Sequence, residues 1–137
     1  MQTQRYQDQH RELLALAGKL AGMLDPAKLG QDAEPARKCL GEMAGKLNVH
    51  LAMEDQVLYP ALLKGPAQSA DLAKRFMEEM GGIKQAFGAY LATWPGAGAI
   101  QKDPSGFVTQ TQGILGALGK RIEVEEGQLY PAAEKLG

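Results

Sequence analysis

The chain has two histidines, His10 and His50, and each falls on a helical stripe where an apolar residue is expected. His50 follows Leu40, Met43 and Leu47 at three- and four-residue spacing, and Glu54 comes one turn later on the same face. A second stripe, Ile114 and Leu118, runs into Arg121 and Glu125 in the same way, and His10 lies between Tyr6 and Leu13 of a third. Charged side chains are rarely buried unless they are paired or ligating. Two imidazoles and two carboxylates in a dry interior form a site suited to a first-row divalent metal. Each residue also has a plainer reading. A core histidine is most often just hydrogen-bonded, and Glu125 is spaced to pair with Arg121 at i+4. Asp55 reads as solvated surface. Glu126 is a second candidate for the inward carboxylate, because a rotation or bulge of the helix would turn it in.

Four amphipathic helices must position these residues. The first carries Tyr6, Leu13, Ala17, Leu20 and Leu24 and closes at Asp25-Pro26; the second carries Ala36 to Leu58 and is kinked or ended at Tyr59-Pro60. After Gly65-Pro66, the third runs through Leu72, Phe76, Met80, Ile83, Phe87, Leu91 and Trp94 to Pro95-Gly96. The longest loop, from Pro95 to about Lys102, follows, and Asp103-Pro104 supplies an N-cap and a first-turn proline for the fourth helix, which extends to Tyr130-Pro131. No strand-like alternation competes. Short connections between helices of roughly 20 to 30 residues predict an all-α, up-down-up-down antiparallel four-helix bundle occupying 1–137 as one domain. In such a bundle His10, early in its helix, and His50, Glu54 and Glu125, late in theirs, reach a common level.

The rest of the composition is exclusionary. Fifteen Lys plus Arg against 16 Asp plus Glu give a formal charge of −1 and no basic block, so neither nucleic acid nor an anionic membrane is an expected partner. One cysteine, Cys39, excludes an internal disulfide or a Cys-rich zinc cluster; it reads as an inert, partly buried thiol in a reducing compartment. With a polar N-terminus and no apolar run near about 18 residues, the expected location is cytoplasmic.

An internal repeat is also visible. Glu54, Leu58, Tyr59, Pro60 and Ala61 recur 71 residues later as Glu125, Leu129, Tyr130, Pro131 and Ala132, which sets His50 opposite Arg121. With one residue of slippage the first helix lies on the third, so that Leu13 meets Ile83 and His10 meets Met80. Two hairpins related by a pseudo-twofold axis are expected. Tyr59 and Tyr130 read as amphipathic caps of the bundle end.

The segments from His50 to Pro60 and from Arg121 to Pro131, together with His10, resemble the hemerythrin family, the HHE cation-binding domains. The resemblance covers essentially the whole chain. It implies a four-helix bundle that, in the family, holds a carboxylate-bridged di-iron centre for reversible oxygen binding, sensing or iron handling. His10, His50 and Glu54 match ligand positions, and Glu125 or Glu126 matches the fourth-helix carboxylate. The chain departs from the pattern where the family has histidine: Met80 stands in the third helix and Arg121 in the fourth. The resemblance therefore implies that ligands for one iron survive, with Arg121 a candidate substitute for the lost cation and Met80 core filling.

Three functions follow as expectations. The first is a metal-binding protein with a reduced, mononuclear iron site that acts in sensing or in binding a small ligand of the dioxygen or nitric oxide type more than in catalysis. The second is a metal-free hemerythrin-fold interaction module with Arg121 replacing the cation. The third is an oxidase or peroxidase with one open-site iron.

Overall fold

The computed structural model describes residues 1–136 and is all-helical there, with no strand among the described residues. Gly137, which the expected 1–137 domain includes, lies outside them. α1 (Gln4–Ala21) packs along α3 (Glu34–Met53), and the short α2 (Pro26–Gln31) sits between them in sequence. α4 (Tyr59–Lys64) lies against α5 (Ala67–Met80), and α6 (Ile83–Thr93) lies against α8 (Pro104–Val124). α7 (Ala97–Lys102) bridges α6 and α8, and α9 (Tyr130–Glu134) closes the described chain. No helix among the described residues is long and apolar enough to cross a membrane.

Local chemistry explains where the helices start. Asp25 accepts a hydrogen bond from the Ala27 amide at 3.0 Å, with Pro26 opening α2. Asp103 does the same for the Gly106 amide at 3.1 Å, with Pro104 opening α8. The Asp103 carboxylate sits where a β-carbon on Gly106 would fall, so a side chain at 106 would displace the capping carboxylate.

Several expected boundaries move. α1 ends at Ala21, short of Asp25. The third stripe is two helices, because the chain breaks at Gly81-Gly82, where the Met77 carbonyl packs too closely on Gly81 for a β-carbon. The expected Pro95–Lys102 loop contains α7, and the stretch after Pro26 contains α2.

The second and fourth helices do not stop at Tyr-Pro. Each widens into one π-helical turn, Glu54–Leu58 and Glu125–Leu129, and resumes as α-helix through the proline. Pro60 and Pro131 lack an N–H, and in a regular α-helix their rings would strike the carbonyls of Gln56 and Gly127. Widening the helix just before the proline relieves that clash.

The apolar interior forms two clusters. The larger contains Leu13, Leu40, Met43, Leu47, Phe87, Phe107, Leu118 and Ile122; the smaller contains Tyr6, Leu58, Tyr59, Leu62, Phe76, Leu129 and Tyr130. In sequence, the buried Glu54 and Glu125 fall between the last members of the first cluster on their helices, Leu51 and Ile122, and the next members of the second, Leu58 and Leu129.

Candidate metal centre

His10 projects from the middle of α1. His50 and Arg121 occupy the last turns of α3 and α8, and Glu54 and Glu125 are the first residues of the two π turns. His10, His50, Glu54 and Glu125 are each no more than 2% exposed, and one ligand atom from each lies within 4.8 Å of the others. Glu125 is therefore the inward carboxylate. Glu126 turns outward with its side chain 43% exposed, and Asp55 is exposed.

Hydrogen bonds on the far side of each imidazole set its tautomer. His10 Nδ1 lies 2.9 Å from Glu126 Oε2, and His50 Nδ1 lies 2.7 Å from Gln9 Oε1. The Gln9 amide nitrogen faces Met53 Sδ at 3.0 Å, which orients its oxygen toward His50. Both acceptors take a hydrogen from Nδ1, so in the neutral ring the lone pair is on Nε2. The two Nε2 atoms approach to 3.1 Å, and His10 Nε2 is 3.1 Å from Glu125 Oε1. His50 Nε2 is 3.3 Å from Glu54 Oε2 and 3.7 Å from Glu125 Oε1. Electron pairs held this close repel one another unless a cation or a proton lies among them.

The donor set fits a metal ion. An ion about 2.1 Å from each nitrogen and oxygen holds neighbouring donors roughly 3.0 to 3.4 Å apart, close to the spacings found. Imidazoles whose other nitrogen is hydrogen-bonded to a carboxylate or an amide oxygen have the outer support typical of metal sites.

Without a metal, protons take over the compensation. Burial pushes the His50 imidazole down, but Glu125 and Glu54 outweigh it and hold it up at about 9. Burial, reinforced by Glu125 and opposed by His50, pushes Glu54 up to about 7. Burial acts upward on Glu125 as well, yet its hydrogen-bonding partners in the cluster and the Arg121 charge hold it well below the usual carboxylate range.

Arg121 is 4% exposed and points inward. Its Nη2 donates to Glu54 Oε1 and to the Tyr59 hydroxyl, both at 3.0 Å, and its Nη1 donates to the Met80 carbonyl at 3.0 Å. The Phe76 ring lies 5.2 Å from the guanidinium carbon. Arg121 Nε and Glu125 Oε2, 3.9 Å apart, have no hydrogen-bond partner in the protein. Met80 contributes its backbone oxygen here, while its half-buried side chain packs on the smaller cluster.

Three participants were not expected from the sequence. Tyr130 does not merely cap the bundle: its hydroxyl lies 3.0 Å from His10 Nε2 and donates to Glu54 Oε2 at 3.0 Å. Tyr59 accepts from Arg121, and Gln9 orients His50. Burial raises both phenols far above their ordinary value, with Glu54 and Glu125 adding to the effect, so without a metal they stay neutral. The missed signal was the five-residue spacing from Glu54 to Tyr59 and from Glu125 to Tyr130. In an α-helix that spacing points the two side chains about 140° apart. The π turn bonds the Tyr59 amide to the Glu54 carbonyl and the Tyr130 amide to the Glu125 carbonyl, and so stacks each pair on one face. Cys39 is fully buried, its sulfur 3.5 Å from the Leu16 carbonyl, and burial pushes its thiol up.

The sequence matches the hemerythrin HHE cation binding domain over residues 2–133, and the chain belongs to that family. No curated protein and no solved structure matched it.

Proposed function

We propose, with membership of the hemerythrin family as the premise, that this chain holds one iron ion between His10, His50, Glu54 and Glu125 and serves in sensing or small-ligand binding. The observation that carries the reading is the pair of Nε2 atoms 3.1 Å apart, each on a ring whose Nδ1 is already hydrogen-bonded. Bound iron supplies a Lewis-acidic centre for a small ligand such as dioxygen or nitric oxide. His10 and His50 donate through Nε2, and Gln9 and Glu126 keep the rings turned inward. Arg121 occupies the second cation position: its guanidinium neutralises the outer oxygen of Glu54, where a second ion would need an open donor. A two-iron oxygen carrier is therefore not the proposed activity, and binding rather than turnover is the proposed role.

The same reading makes residues 1–137 one domain, an up-down-up-down bundle of two pseudo-twofold hairpins working in the cytoplasm. The matched π turns at Glu54–Leu58 and Glu125–Leu129 support the pseudo-twofold relation. A second reading, a metal-free interaction module, is favoured by one observation. The Arg121 charge, with a proton on His50, balances Glu54 and Glu125 without an ion. Elemental analysis of protein purified without chelator separates them: about one iron per chain supports the first, and no transition metal supports the second.

A further inference from the structure

We propose that Tyr130 is a fifth donor of the same centre, ligating a bound ferric ion through its phenolate oxygen. The inference rests on the one-iron reading above and adds a ligand to it. Tyr130 is 1% exposed, and its hydroxyl is 3.0 Å from both His10 Nε2 and Glu54 Oε2. These separations match those among the four other donors, 3.1 to 3.7 Å, so the phenol oxygen sits within the cluster instead of behind it. The ring is held there on two sides: it stacks on His10 with centroids 5.2 Å apart and meets Tyr6 at 5.6 Å. The π turn puts Tyr130 on the same face as Glu125, so one helical segment delivers two donors. Tyr59, at the matching place in the other segment, has its hydroxyl engaged by Arg121 and is not a donor.

Charge favours the same assignment. Arg121 pairs with Glu54, so of the two buried carboxylates only the charge of Glu125 is left over. A ferric ion with Arg121 and the two carboxylates leaves two positive charges in a buried site, and a phenolate removes one of them. On ligation the Tyr130 O–H bond breaks, an oxygen–iron bond forms and the proton goes to solvent. The iron remains ferric throughout, so no oxidant or reductant is required.

The test loads metal-free protein with ferric nitrilotriacetate, removes unbound iron, and records iron content together with the visible and resonance Raman spectra. The wild type should bind iron and show a phenolate-to-iron charge-transfer band with enhanced phenolate ring modes. Tyr130→Phe should keep iron and lose the band, whereas Tyr59→Phe and Tyr6→Phe should keep both. Should Tyr130→Phe not fold, a band retained in Tyr6→Phe, Tyr59→Phe and Tyr90→Phe still identifies Tyr130, the fourth tyrosine of the chain. Bound iron without a band, or a band that survives Tyr130→Phe, overturns the ligand assignment alone. Failure of the wild type to bind iron overturns the one-iron reading as well.

Discussion

Arg121 donates from Nη2 to Glu54 Oε1 at 3.0 Å, and both side chains are almost completely buried. A cation is thus already in place beside one carboxylate of the cluster, supplied by the chain itself. Removing it leaves Glu54 with a buried, unpaired charge. Arg121→Ala is expected to destabilise the metal-free protein by about 3 to 5 kcal/mol, read from urea unfolding. A loss under about 1 kcal/mol would mean that the guanidinium does not carry this charge balance.

Replacing the guanidinium by a neutral ligand should open the second position. Arg121→His frees Glu54 Oε1 and should raise iron uptake above the wild type. Met80→His together with Arg121→His should go further, to two ions per chain. Equilibrium dialysis against ferrous iron checks both, and uptake in the double variant equal to the wild type would refute the cation-substitute role.

The partners behind the imidazoles should matter although they touch no metal. Gln9→Ala and Glu126→Ala each remove the acceptor for one Nδ1 hydrogen. Each is expected to weaken metal affinity about 10- to 100-fold while leaving the fold intact. Competition with a chromogenic chelator measures it, and unchanged affinity would show that the rings are oriented by packing alone.

Stability should depend on pH in opposite senses with and without metal. In the metal-free protein His50 sits at about 9, above its ordinary 6.5, and Glu54 at about 7, above its ordinary 4.5. Both groups bind protons more tightly folded than unfolded, so their contribution falls as pH rises. The His50 part is full below pH 6.5 and is lost through about pH 9; the Glu54 part is full below 4.5 and is lost through about 7. The Tm of metal-free protein should therefore drop between pH 6.5 and 9. Saturating metal displaces the His50 proton, and the stabilisation it confers should grow over the same interval. Thermal unfolding of the two forms across this range checks the sign.

Much of this site was legible in the sequence because helical periodicity is a strong signal and charged residues on an apolar stripe stand out against it. His10, His50, Glu54 and Glu125 are found together for that reason. Arg121 was identifiable as a possible cation in the same way, though its choice of Glu54 over the i+4 residue Glu125 depends on tertiary geometry. Tyr59 and Tyr130 were misread because the stripe was extrapolated at 3.6 residues per turn into segments that turn more slowly. Pro60 and Pro131 hold the clue, since a proline inside a continuing helix requires local widening. Gln9 carried no signal at all: a polar residue beside His10 looks like surface until α3 is packed against α1. The break at Gly81-Gly82 interrupts a stripe whose apolar spacing is otherwise unbroken, and only the paired glycines mark it.

The central claim is tested most directly by anaerobic titration of metal-free wild-type protein with ferrous iron, alongside His10→Ala and His50→Ala. One ion per chain in the wild type, with uptake lost in either variant, is the predicted result. No uptake by the wild type, a second tightly bound ion, or uptake unaffected by both substitutions would contradict it.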